Sequence, residues 1–135
     1  MTVAVATDPR GGMLFLGRRV SRDREIIADL ATLTDRPILC HPFSEKYLRT
    51  TPLAFRADEE CLEHAEAEDV CFVESLPLAP HKERIDRLIV YDFGETYPFD
   101  FALDLDPQTA GLRLAEEREI VGHSHKTIIR KVYIR

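Results

Sequence analysis

The sequence predicts an α/β fold: a mixed sheet, mostly parallel, that ends in an antiparallel C-terminal hairpin and is flanked by about three helices. Three observations carry this. Apolar runs of strand length alternate with helix-period stretches over the first two-thirds of the 135 residues. Residues 112–121 and 127–134 then read as two strands around Gly122-His123-Ser124-His125. The length fits one domain spanning residues 1–135.

The elements follow in order. Val3 to Thr7 is a short apolar run, closed by the turn signal Asp8-Pro9-Arg10-Gly11-Gly12. Met13 to Leu16 is a second run, and Gly17-Arg18-Arg19 a basic loop. Ser21 is the expected cap of a first helix. Asp23 and Glu25 sit in its first turn, and Ile26, Ile27, Leu30 and Leu33 form its apolar stripe up to about Thr34. Asp35-Arg36-Pro37 ends it, and Ile38-Leu39-Cys40 reads as a buried strand. Ser44 is the expected cap of a short helix over 45–49. A short strand over 53–56 and a third helix capped by Asp58 follow. Val70 to Val73 and Asp86 to Phe93 are strands, with one helical turn before Arg84. Phe99, Phe101, Leu103 and Leu105 alternate with Asp100, Ala102, Asp104 and Asp106, the pattern of a half-buried strand.

Composition excludes several classes of function. Hydrophobic residues are 44% and charged residues 31%, a globular balance. The formal net charge is −6, so neither nucleic acid nor an anionic membrane surface is an expected partner. No apolar run nears the roughly 20 residues that span a bilayer. The N-terminal run lacks the form of a signal segment. Cys40, Cys61 and Cys71 are odd in number and widely spaced, which reads as reduced core thiols and a cytoplasmic location.

The order of elements resembles the dihydrofolate reductases. Thr34-Asp35-Arg36-Pro37-Ile38-Leu39-Cys40-His41-Pro42-Phe43-Ser44 is similar to that family's "T-x-x-x-P-V-I-M-G-R-x-T" stretch. Val73-Glu74-Ser75 stands where the family has V/I-G-G. Ile85-Asp86-Arg87-Leu88-Ile89-Val90-Tyr91 is similar to its later strand. The resemblance implies that fold. It also implies catalytic roles for Asp23, as the ring-binding carboxylate, and for Tyr91, at the position of a residue that contacts that acid. Facing the apolar stripe of its helix, Asp23 is expected to have a raised pKa and to bond to the Tyr91 phenol. Ser44 matches the residue beside the cofactor pyrophosphate.

The departures argue against the family's chemistry. Two glycines that would admit a diphosphate are Glu74 and Ser75 here, and a carboxylate at about 4 Å repels a phosphate by roughly 1–4 kcal/mol. Pro42 replaces a basic residue, and the chain has no tryptophan. No cofactor is therefore expected. Stretches such as Gly11 to Phe15 and Cys71 to Glu74 also resemble an uncharacterised bacterial family sometimes labelled "ribonuclease Z", whose catalytic metal ligands are missing here.

Other residues suggest a ligand site. Arg18, Arg19, Arg22 and Arg24 cluster beside a glycine turn and a helix start, suited to a phosphate or carboxylate. With His41, Ser44, Lys46, Glu74 and Ser75 they outline a cleft between the first helix, the His41 to Lys46 turn and the Val73 to Ser75 strand end. His123 and His125 stand at i, i+2, where a strand would point both the same way, but no third metal ligand is specified. The expected function is a small-ligand-binding or regulatory domain rather than an active reductase. Its expected partner is a small anionic or heterocyclic ligand or a protein, a second copy in a homodimer included. The alternatives are a diverged NADPH-dependent reductase with Asp23 as acid, and a metal-assisted hydrolase or ribonuclease using His123 and His125.

Overall fold

The computed structural model describes residues 1–135. Its elements are β1 (Thr2–Thr7), β2 (Gly12–Phe15), β3 (Arg18–Arg19), α1 (Arg24–Leu30), β4 (Ile38–Cys40), α2 (Pro42–Leu48), β5 (Phe55–Ala57), α3 (Cys61–His64), β6 (Val70–Phe72), a 3-10 turn (Ala79–Arg84), β7 (Arg87–Asp92), β8 (Phe101–Ala102), β9 (Arg113–Val121) and β10 (Thr127–Ile134). Seven strands form one sheet in the order β5-β4-β6-β1-β7-β10-β9, and β3-β2-β8 form a second, small one. Every pairing from β5 to β7 is parallel; β7–β10 and β10–β9 are antiparallel. This is the mixed sheet with a C-terminal hairpin that the sequence predicts.

Strand composition explains strand position. β4, β6 and the middle of β1 are buried on both faces, and their sequences are unbroken apolar runs. Val3 and Val5 enter the core on one face with Leu62, Leu78 and Leu112. Ala4 enters the core on the other, with Ile26, Ile27 and Leu30 of α1 and Leu48 of α2. β9, by contrast, is exposed along almost its whole length and rich in charge, which suits a sheet edge.

Four boundaries differ from the sequence reading, each for a local reason. α1 is capped by Asp23 rather than Ser21, through a 2.9 Å bond from the Glu25 N–H. It ends at Leu30 because the Thr32 hydroxyl and N–H both bond to the Asp29 carbonyl, at 2.6 and 3.0 Å, tightening the last turn. α2 starts at Pro42, not at 45: the His41 imidazole accepts the Phe43 N–H at 3.0 Å, and proline suits the first helical position. The alternating stretch 99–105 yields only the two-residue β8, because the Asp104 carboxylate takes the N–H groups of Leu78 and Ala79 and draws the chain away. The predicted third helix is the single turn α3.

The basic loop is a tight hairpin turn. Leu16 and Gly17 both lie in the left-handed region, with φ of 50° and 75°, as a two-residue turn between right-twisted strands requires. It projects Arg18 and Arg19 towards α2. No helix is long and apolar enough to cross a membrane.

Candidate functional site

Ligands of open α/β sheets sit beyond the carboxyl ends of the parallel strands. Here those ends deliver His41 from β4, Glu74 from β6, Asp8 from β1 and Phe93 from β7. Glu74 is buried and fully engaged. Arg19 donates to both its oxygens, Nε at 2.8 Å and Nη2 at 3.0 Å, and the Ser44 hydroxyl donates at 2.7 Å. The Arg19 guanidinium lies over the Tyr47 ring, 4.5 Å from its centre, and 5.5 Å from that of Phe43. Burial disfavours the charge on Arg19, but Glu74 outweighs it and holds the group protonated. A bidentate pair of this kind fixes both partners.

This cluster fills the cleft expected from the sequence. The crevice between Ala6, Arg22, Asp23, Tyr47, Phe72 and Glu74 encloses only about 10 Å³. Ser44 and Glu74 therefore belong to the interior, and His41 is a helix cap. The buried Ser75 hydroxyl has no hydrogen-bond partner and stands apart.

The open space lies further out. A groove of about 740 Å³ runs between the β2–β3 hairpin and α2, with Arg18, Arg19, Arg22 and Lys46 on its walls and Phe43 and Tyr47 as aromatic surface. Arg18, Arg22 and Lys46 are exposed and form no ion pair. Four of the residues expected to bind a ligand thus converge. Arg24 points elsewhere and approaches Glu25 at 4.0 Å. A second space of about 680 Å³ adjoins the groove, sharing Arg22, Tyr47 and Thr50, and is lined by Ile27, Ala31, Pro52 and Leu53 of α1 and the loop after α2.

Asp23 sits at the junction, 2% exposed. Its carboxylate accepts the backbone N–H groups of Glu25, His123, Ser124 and His125 at 2.9–3.1 Å, and the His125 Nδ1 atom lies 2.9 Å away. Burial alone would raise its pKa. The donors from His123, Glu25, the His125 ring and Ser124 outweigh burial and hold it at about 2, below the ordinary 3.8. The expected upward shift is thus reversed, because the sequence shows the apolar stripe but not the three N–H groups of a distant turn. Asp23 is an anion at neutral pH.

Tyr91 does not meet Asp23. Its hydroxyl donates to Asp29, which also accepts from Arg130 Nε at 2.7 Å and Arg118 Nη2 at 3.0 Å. Burial and then the Asp29 bond push the phenol above its ordinary range. The cause is spacing: Asp29 lies on the buried stripe of α1, six residues beyond the cap.

The two histidines also diverge. They lie in the β9–β10 turn rather than on a strand, with His123 exposed and His125 4% exposed. No group of three or more His, Cys, Asp or Glu side chains has the geometry to hold a metal ion. The other ring nitrogen of His125, Nε2, is 2.8 Å from the Ser21 hydroxyl and 3.0 Å from the Tyr97 hydroxyl. The imidazole stacks on Phe93, ring centres 4.7 Å apart. Ser21 lines the groove. The sequence marks Ser21 only as a helix cap, and nothing in it points to Tyr97.

Comparison with known proteins supports the architecture alone. No protein-family model and no curated protein matches the sequence, so the ribonuclease Z resemblance gains no support. Among solved structures, the chain is similar to dihydrofolate reductase from Enterococcus faecalis complexed with NADP(H) and RAB-propyl, at 14% identity and a TM-score of 0.66, over 100% of this chain and 96% of that one. The chain therefore has a dihydrofolate-reductase-like fold, with a strand-end cleft that its own Arg19–Glu74 pair fills.

Proposed function

We propose that the protein is a small-ligand-binding or regulatory domain that holds an anionic ligand in the groove between the β2–β3 hairpin and α2. One observation carries this reading: Glu74 consumes Arg19 and Ser44 inside the fold, while Arg18, Arg22 and Lys46 face the groove without carboxylate partners. Three unneutralised cations around two aromatic rings suit a phosphate or carboxylate attached to a flat group. A nicotinamide nucleotide laid across the strand end would have to displace the buried pair, so NADPH is expected to bind more weakly than about 1 mM. Burial pushes the Cys40 and Cys71 thiols up to about 12 and Cys61 to about 11, so all three stay protonated and unreactive.

Calorimetric titration with inorganic pyrophosphate, benzoate and NADPH tests the proposal. Pyrophosphate or benzoate should bind, with affinity falling about tenfold in Lys46→Ser, as loss of one charge-assisted contact implies. Micromolar NADPH binding would overturn it in favour of a diverged reductase.

A further inference from the structure

Three side chains beside the groove stand in an order that carries chemistry. The Asp23 Oδ2 atom lies 2.9 Å from His125 Nδ1, and His125 Nε2 lies 2.8 Å from the Ser21 Oγ. We propose that Ser21, His125 and Asp23 form a nucleophile–base–carboxylate relay that hydrolyses esters bearing an anionic group.

Each part has the surroundings the role demands. Asp23 is buried, ionised and held by backbone donors, so its oxygen accepts from His125 Nδ1–H. That fixes the imidazole tautomer and turns the Nε2 lone pair towards Ser21. Phe93 stacks on the ring and excludes water from its face. Ser21 is half-buried and opens on the groove, so its oxygen is accessible to a ligand there. The Arg22 backbone N–H, next along the chain, donates to no internal backbone acceptor and is the donor we assign to the developing oxyanion. Tyr97 shares Nε2 at 3.0 Å. Its own proton goes to Glu95 Oε2 at 3.2 Å, which leaves the Nε2 lone pair to Ser21; burial and Glu95 raise the phenol's pKa against the opposing Ser21 hydrogen bond, so it stays protonated.

The reaction closes on itself. Ser21 Oγ bonds to the ester carbonyl carbon as its proton passes to His125 Nε2. The carbon–oxygen bond to the leaving alcohol breaks, and the alcohol departs with that proton. Water then gives a proton to Nε2 and its oxygen to the acyl carbon, and the serine oxygen leaves with the proton returned. Ester and water become acid and alcohol, with no other reactant. The relay stands on its own distances. Only the preference for an anionic ester rests on the proposed use of Arg18 and Lys46.

The test uses the full chain and two readouts. The first is labelling by a fluorophosphonate probe, located by peptide mass. The second is hydrolysis of 4-nitrophenyl acetate and of mono-4-nitrophenyl succinate. Labelling should fall on Ser21 and vanish in Ser21→Ala and His125→Gln, and turnover should drop at least about 100-fold in both. The urea midpoint of Ser21→Ala should match the parent, showing that the fold survives. An unlabelled Ser21 in the folded parent, or equal ester hydrolysis in Ser21→Ala, overturns the relay. In Arg18→Ser/Lys46→Ser the preference for succinate over acetate should fall about tenfold. An unchanged preference overturns the anionic substrate class and leaves the labelling result to judge the relay.

Discussion

Two buried carboxylates sit six residues apart at one helix, and they are stabilised in opposite ways. Asp23 caps α1 and is surrounded by neutral donors: four backbone N–H groups and one imidazole. Asp29, on the buried stripe of the same helix, is held by two guanidinium groups and a phenol, and Arg130 passes the charge on to Glu116 at 3.1 Å. The first arrangement leaves a net anion beside an open groove. The second is an ion-paired network that ties α1 to β7, β9 and β10. The contrast separates a group whose charge acts on a neighbouring imidazole from one whose charge is spent on cohesion.

The largest effect tests the second region. Asp29→Asn removes the anion but leaves Arg130 buried, with only 9% of its side chain exposed. Breaking a buried pair by removing one partner costs about 3–5 kcal/mol. Urea unfolding should show a loss of that order; a loss below about 1 kcal/mol would mean that Arg130 finds Glu116 or water sufficient.

The turn that delivers donors to Asp23 comes next. A Cβ on Gly122 would meet the His125 carbonyl closer than side chains ever approach backbone, and would stand 2.9 Å from Asp23 Oδ2. Gly122→Ala should therefore cost up to about 3 kcal/mol, as overpacking does, and open the turn. It should also lower the backbone protection of Ser124 and His125 in hydrogen exchange; protection equal to the parent would show the turn to be held by something other than Asp23.

Acid provides a third, smaller test. A carboxyl whose folded pKa lies below its unfolded value contributes stability that is complete above the unfolded value and lost as pH falls through the folded one. For Asp23 the window runs from about 4 down to about 2, and the contribution is about 2 kcal/mol. Asp8, also lowered against the pull of burial by the N–H groups of Gly12, Tyr97 and Arg10, adds to the same slope. The difference between the parent and Asp23→Asn isolates one group. Equal slopes for the two proteins between those pH values would remove Asp23 from the account.

The same contrast explains what the sequence could reveal. Apolar runs such as Val3–Val5 and Ile38–Cys40 face only hydrophobic neighbours, so they read correctly one residue at a time, and the sheet follows from their order. The basic groove was visible as Arg18, Arg22 and Lys46, since cations that stay exposed need no partner to be recognised. Asp23, Tyr91 and Glu74 were misplaced because a buried polar group takes its meaning from its partner. Those partners lie far along the chain: His125 is 102 residues from Asp23, Tyr91 is 62 from Asp29 and Arg19 is 55 from Glu74. Departure from the paired glycines of the reductases marked Glu74 as an obstacle to phosphate; only the fold revealed its built-in counter-ion.

The smallest effect sharpens the first region. Tyr97→Phe deletes one hydroxyl, which shares His125 Nε2 with Ser21 and reaches Glu95 at 3.2 Å. If neutral donors surround this site redundantly, the loss is that of one ordinary hydrogen bond, about 1 kcal/mol or less. Ser21 should then keep Nε2, at a distance already 0.2 Å shorter than Tyr97's 3.0 Å. Nitrogen-15 spectra of the imidazole report this directly: the proton should remain on Nδ1 in Tyr97→Phe and in the parent alike. A switch to the Nε2–H tautomer would show that Tyr97, not Asp23, fixes the ring. The imidazole would then be oriented from the loop after β7 rather than from the cap of α1.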